Sequence, residues 1–172
     1  MIDRGERGLT MSKQYSFIIY GQPATKKNSA TMVQGRSCLL PSKAYREYEK
    51  VFRRQLWALK DRPHFELGVQ VTARYYLKDK AHYPDLVGLM QATADCMSDE
   101  YKVRFGKKML LNQWILADDR IIKNWDGTCI AGLDKANPRV EVTINPIPTN
   151  INEETDPYLI RLLKEKQEIS LF

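Results

Sequence analysis

The chain has 172 residues, 43% of them hydrophobic and 28% charged, and only three cysteines. These proportions are typical of a globular protein, and the length suits a single domain with a substantial core. The longest apolar runs cover only a few residues, too few for a transmembrane helix, and the first residues lack the apolar segment of a secretion signal. Cysteines without a CxxC pair indicate reduced thiols rather than a zinc site. We therefore expect a cytoplasmic protein without membrane contact.

The positive charge is concentrated in the first third of the chain. The formal net charge is +6, yet residues 1–60 contain twelve basic and four acidic residues, so that the remainder carries a small negative balance. A basic segment joined to an acidic one is typical of a polyanion-binding surface beside a carboxylate site. A solvated basic helix would give the same pattern, so charge alone leaves both interpretations open.

Hydrophobic spacing predicts strands and helices in alternation. Residues 15–20 form a short apolar run typical of a strand, and the Gly- and Ser-rich segment after it predicts a loop with a short hairpin in 31–40. Ser42 is expected to cap a helix that runs to about residue 60, and the strict alternation of 65–77 predicts a long half-buried strand. A second helix opened by Asp85, a charged connection over 99–113, strands over 120–127 and 139–147 and a final helix over 155–169 complete the order. This order predicts an α+β fold, a single domain with a mixed sheet packed against helices.

The domain boundaries follow from the same pattern. We expect a disordered lead over 1–13, a folded domain over 14–147 and a C-terminal helical extension over 148–172. Trp57 and Trp125 are expected in the core, because aromatic side chains at element edges pack there more often than they bind a ligand. Trp114 fits either the core or a base-stacking position.

Two acidic sites could hold a metal ion. Asp85 opens the second helix, and the pair Asp118–Asp119 precedes a strand. Mg²⁺ prefers carboxylate oxygens, and bound Mg²⁺ can orient water and stabilise charge on a phosphate. Each acid also has a plainer interpretation, since Asp is a common helix cap and Asp pairs are common in polar turns.

Five motifs in order resemble the RusA family of Holliday junction resolvases. They are GQPATKKNS, LLPSKAYREYEK, PDLVGLMQATADCM, ILADDRII and RVEVTI, which together span about residues 14–145. The resemblance implies a RusA-like nuclease domain and a homodimeric, Mg²⁺-dependent endodeoxyribonuclease, often prophage-encoded. Such an enzyme nicks four-way DNA junctions symmetrically in recombination and repair. Mn²⁺ is the expected substitute metal, and no small-molecule cofactor is expected.

The resemblance also implies roles for individual residues. Asp85 matches the first acid of the family's D-x-D motif, and Asp119, with its neighbour Asp118, matches the later catalytic acid. These three are the implied catalytic and metal-binding residues. For Asp95, which matches an acid near the end of the same helix, we favour a structural role. The implied DNA-binding residues are Lys26, Lys27, Asn28, Arg36, Lys43 and Arg46, with Lys50, Arg53 and Arg54 extending that surface.

Three positions of the second helix depart from the family pattern. Val87 stands in place of the second Asp, Gly88 in place of Asn and Gln91 in place of a lysine. Val87 cannot bind a metal, and the missing lysine removes a cation that could stabilise the scissile phosphate. Three functions therefore stay open. The first is a junction endonuclease, the second a junction-binding protein of the same fold that has lost cleavage, and the third a different Mg²⁺-dependent nuclease that acts on flaps or single strands. The charged connection over 99–113 is either a DNA-contacting loop or an idle insertion.

Overall fold

A five-stranded mixed sheet forms the centre of the computed structural model, which describes residues 13–26, 31–32, 39–81 and 83–169. In chain order the elements are β1 (Tyr15–Tyr20), β2 (Thr31–Met32), β3 (Leu39–Leu40), α1 (Lys43–Ala58), β4 (Val69–Leu77), α2 (Leu86–Met97), β5 (Glu100–Arg104), β6 (Lys107–Asn112), a 3₁₀ turn (Asp119–Ile121), β7 (Ile122–Asn124), β8 (Cys129–Leu133), β9 (Arg139–Pro146) and α3 (Pro157–Ile169). The α+β class with a mixed sheet and helices is confirmed.

The sheet is organised around β4. Strand β9 lies antiparallel between β1 and β4, while β7 and β8 both pair parallel with the other edge of β4, one after the other along its length. Alternate residues of β4, from Val69 to Leu77, are buried, as the alternation of the sequence predicts. The strand nevertheless begins at Val69 rather than at Phe65, which makes only an isolated bridge with Leu116.

The helices contribute to the same core as the sheet. Ser42 caps α1 as predicted: its Oγ atom accepts a hydrogen bond from the Tyr45 amide at 3.1 Å. In α2 the Thr93 hydroxyl lies 2.8 Å from the buried Tyr75 hydroxyl of β4, a contact that fixes the helix on the sheet. Leu159 of α3 is fully buried in this core, so the terminal helix packs against the domain itself.

Three features of the local structure differ from the sequence predictions. Residues 99–113, expected as a charged connection, contain an antiparallel hairpin, β5–β6. Strand β8 was not predicted, because its Cys-Ile-Ala-Gly-Leu sequence lacks a clear alternation. Trp57 is 68% exposed, because it lies beside the buried stripe of α1 rather than on it. Trp125 packs against the core, as predicted, and Trp114 is buried. Of the N-terminal lead predicted over residues 1–13, only Lys13 lies within the described residues.

Candidate nucleic-acid interface and acidic centre

The loop after β1 reaches α2 through Thr25. This residue is 4% exposed, and a Cβ atom added to Gly88 would lie 3.0 Å from its Cγ2 atom and 2.9 Å from Oδ2 of Asp85. Side chains in proteins do not pack this closely, so Gly88 is what allows the loop to approach the helix. The Asn that the RusA pattern has at this position would displace Thr25 or Asp85.

Lys26, the residue after Thr25, forms an ion pair with an acid of α2. Its Nζ atom lies 2.6 Å from Oδ2 of Asp95 and 5.5 Å from the centre of the Tyr45 ring. Lys26 thereby joins the loop, α1 and α2, and its side chain stays 40% exposed. An ammonium in this position compensates a carboxylate and is still accessible to a phosphate. The predicted neighbours Lys27, Asn28 and Arg36 lie outside the described residues.

Asp85 acts as the N-cap of α2. Its Oδ1 atom accepts a hydrogen bond from the Gly88 amide at 2.6 Å, which satisfies a helix donor that would otherwise have no partner. The capping role that the sequence left open is therefore present in the structure. Val87 follows it with its side chain 65% exposed, so a hydrocarbon group faces solvent where the family pattern has a carboxylate.

Asp118 and Asp119 form a close acidic pair at the 3₁₀ turn. Oδ1 of Asp118 accepts a hydrogen bond from the Arg120 amide at 3.1 Å and so caps this turn. Partial burial raises the pKa of Asp119 above its ordinary value, and the hydrogen bond and negative charge of Asp118 raise it further. The charge of Asp95 acts in the same direction, while Arg120 opposes it. Asp95 therefore has two relations in this region: it forms an ion pair with Lys26, and its charge contributes to the raised pKa of Asp119.

The described acids are not assembled into a complete metal cage. Among the residues that the structure describes, no three His, Cys, Asp or Glu side chains are grouped to hold a metal ion, and this includes Asp85, Asp118 and Asp119 together. Mg²⁺ is often bound by only one or two carboxylates together with phosphates of its substrate. Besides partial burial, a hydrogen bond with Asp118 and its charge raise the pKa of Asp119, so these two carboxyl groups lie side by side and fit this second mode of binding.

The basic residues of α1 divide into two groups. Lys43 and Arg46 are exposed near its start, as a DNA-binding role requires. Arg53, grouped with them from the sequence, instead forms ion pairs with Glu49 and Glu100 and donates a hydrogen bond to the Asp95 carbonyl at 3.2 Å. Arg53 therefore holds α1, α2 and β5 together.

A shallow cavity near the end of α1 adds aromatic surface that sequence reasoning did not identify. It measures about 360 Å³ and is lined by Arg53, Arg54, Trp57, Asn112 and Trp114. The two tryptophan rings meet edge to face with centres 6.2 Å apart. The exposed ring of Trp57 is also covered on one side by the Arg62 guanidinium, 5.3 Å from the ring centre. The spacing of the buried residues of α1 could have placed Trp57 outside the core.

Comparisons with known proteins assign no family to this arrangement. No protein-family model matches the chain, and no curated protein matches its sequence. Within the described part of the chain, no helix is both long enough and apolar enough to cross a membrane.

Proposed function

We propose that this protein is a RusA-like endodeoxyribonuclease that acts on four-way DNA junctions. The observation that carries the proposal is that Asp95, which forms an ion pair with Lys26, also contributes to the raised pKa of Asp119. Lys26 lies 2.6 Å from this carboxylate, and the charge of Asp95 reaches Asp119. These relations support a site that combines a cation for the phosphate with an acidic pair, as cleavage of a phosphodiester requires.

The acidic pair supplies the chemistry in this proposal. Asp118 and Asp119 would hold Mg²⁺ or Mn²⁺, which when bound orients water and stabilises charge on the phosphate. Asp85 has a positioning role, because its cap fixes the start of α2 beneath Thr25.

The basic residues position the DNA. Lys26, Lys43 and Arg46 are positively charged and accessible. The RusA resemblance adds Lys27, Asn28 and Arg36, which lie outside the described residues. Contacts of this kind fix the register of a nucleic acid without reading its sequence. Two copies of the site, in the homodimer that we propose with it, would address the two symmetric strands of a junction.

The start of α2 favours a second candidate function, a protein that binds DNA junctions but does not cleave them. Asp85 uses one carboxylate oxygen as a helix cap, Val87 presents only hydrocarbon, and the three predicted acids are not grouped as a metal cage. Under this candidate the basic surface binds DNA while the acids only stabilise the fold.

Gel assays on a synthetic four-way junction distinguish the two candidates. The junction is incubated with the protein in Mg²⁺, in Mn²⁺ and in EDTA, and nicks and complexes are read on denaturing and native gels. The proposal expects paired symmetric nicks that require metal and that disappear in Asp119→Asn, while Asp126→Asn, a change at an exposed acid of the β7–β8 turn, cuts normally. A stable complex without nicks in either metal would establish the binding protein instead, and the absence of both complex and nick would refute both candidates.

A further inference from the structure

The β5–β6 hairpin carries its residues out into solvent. Its two strands are joined by a two-residue turn, Phe105–Gly106, in which both residues have positive φ, 50° and 73°. Such turns are usually built from Asn, Asp or Gly, because a bulky side chain is disfavoured at positive φ. Phe105 nevertheless occupies the first position with its ring 91% exposed. The fold gains no burial from this residue, so its ring is free to contact a partner outside the described chain.

The hairpin is also strongly basic. The strand register places Lys102, Arg104 and Lys107 on one face, together with Met109. Lys108, on the other face, lies 4.0 Å from the centre of the Tyr101 ring, and the Arg104 guanidinium lies 5.3 Å from that of Phe105. Among the described residues, none of these four cations forms an ion pair with a carboxylate. Cations held beside exposed aromatic rings favour a partner that offers both negative charge and flat apolar surface.

The base of the hairpin is fixed to the domain. Glu100 forms an ion pair with Arg53 of α1 and accepts hydrogen bonds from the Asn112 amide group at 2.6 Å and from the Trp114 indole at 3.4 Å. Asn112 and Trp114 also line the cavity beside the exposed Trp57. Basic and aromatic side chains are therefore present both at the end of α1 and on the hairpin that Glu100 attaches to it.

We propose that this hairpin is a nucleic-acid-binding arm whose cations hold the phosphate backbone while Phe105 stacks on an unpaired base at a branch point. The inference rests on the proposed function, since it assigns a further part of the molecule to the same DNA. A second copy of this chain is a poorer occupant, because pairing through the basic face would bring Lys102, Arg104 and Lys107 against the same three cations. Nucleic acid complements both the charge and the ring.

The test uses Phe105→Asn, since Asn accepts positive φ and preserves the turn while removing the ring. Phe105→Trp, which keeps an aromatic ring at the tip, is the matched control. Binding is measured by fluorescence anisotropy with a fluorescein-labelled four-way junction and with a duplex of the same arm sequence. A second junction carries 2-aminopurine at the branch, because its fluorescence falls when the base stacks. Far-ultraviolet circular dichroism confirms that each variant is folded.

We expect Phe105→Asn to weaken junction binding about tenfold and to abolish the fluorescence change, with little effect on the duplex, whereas Phe105→Trp retains both. Replacing Lys102, Arg104 and Lys107 together by Ala should reduce the salt dependence of binding by up to about three units of slope. If Phe105→Asn binds the junction as tightly as the wild type does, the hairpin is not the proposed DNA-binding arm, and the proposed function is unaffected. If the wild type binds no DNA, both the arm and the proposed function are refuted. If Phe105→Asn converts a dimer to a monomer, the hairpin serves self-association instead of DNA binding.

Discussion

Substitution of Gly88 tests how closely the basic loop is fitted to α2. In Gly88→Ala the new methyl group would lie 2.9 Å from Oδ2 of Asp85 and 3.0 Å from Cγ2 of Thr25. Because the methyl group meets both neighbours, Asp85 must leave its capping position, at a cost of about 1 kcal/mol, and the loop must shift, at the lower end of the about 1–3 kcal/mol that overpacking costs. Alanine regains about 1 kcal/mol through its higher helix propensity. We therefore expect a net loss of about 1 kcal/mol in the free energy of unfolding.

Urea denaturation measures this loss, with the midpoint and the slope fitted together. Gly132→Ala in β8 is the matched control, since a Cβ atom there meets nothing within 4 Å, and it should cause no loss of stability. Gly88→Ala should also weaken junction binding, because displacement of Thr25 moves the adjacent Lys26. A Gly88→Ala variant as stable as the control, with unchanged binding, would refute the close fit of loop and helix.

Three further predictions concern the acids and their partners. Because the pKa of Asp119 is raised in the folded state, its contribution to stability is lost as pH rises from the ordinary value of 3.8 through the raised one. Asp119→Asn should therefore lack this decline when urea midpoints are measured over a pH series. An identical decline in both proteins would contradict the raised pKa of Asp119. A double-mutant cycle of Lys26→Ala and Asp95→Asn should give a coupling of about 0.5–1 kcal/mol, whereas additive effects would show that the 2.6 Å contact contributes nothing. Val87→Asp, at an exposed position beside the acid that caps α2, should raise junction cleavage roughly tenfold, the effect of about 1.4 kcal/mol of added transition-state stabilisation, and an unchanged rate would place this position outside the reaction.

Local signals in the sequence predicted much of the fold. Ser42 marks the start of α1, the alternation of β4 marks its buried face, and Pro157 marks the first turn of α3. Each of these features depends on neighbouring residues alone, which is why the sequence reveals it. The β5–β6 hairpin escaped prediction because its turn is Phe-Gly rather than Asn-Gly. The alternation of Tyr101, Val103 and Phe105 in and after β5 also has no counterpart in the KKMLLN sequence of β6.

The candidate site was less accessible to sequence reasoning. The cap formed by Asp85 follows from its position before an apolar helix. The contact between Lys26 and Asp95 joins segments far apart in the chain, and only tertiary packing brings them together. The same holds for the charge of Asp95 at Asp119. Gly88 did carry a signal, since a glycine in the first turn of a helix often marks the close approach of another segment.

Competition binding between branched and unbranched DNA tests the central claim most directly. A labelled four-way junction is titrated with the protein in EDTA at one fixed salt concentration, because salt alone changes such affinities by orders of magnitude. Unlabelled junction and unlabelled duplex of the same arm sequence then compete for the protein. Recognition of branched DNA predicts that the junction competes at least about tenfold more strongly, a difference of about 1.4 kcal/mol. Equal competition per phosphate would show that the basic surface binds any polyanion and would contradict a role at junctions.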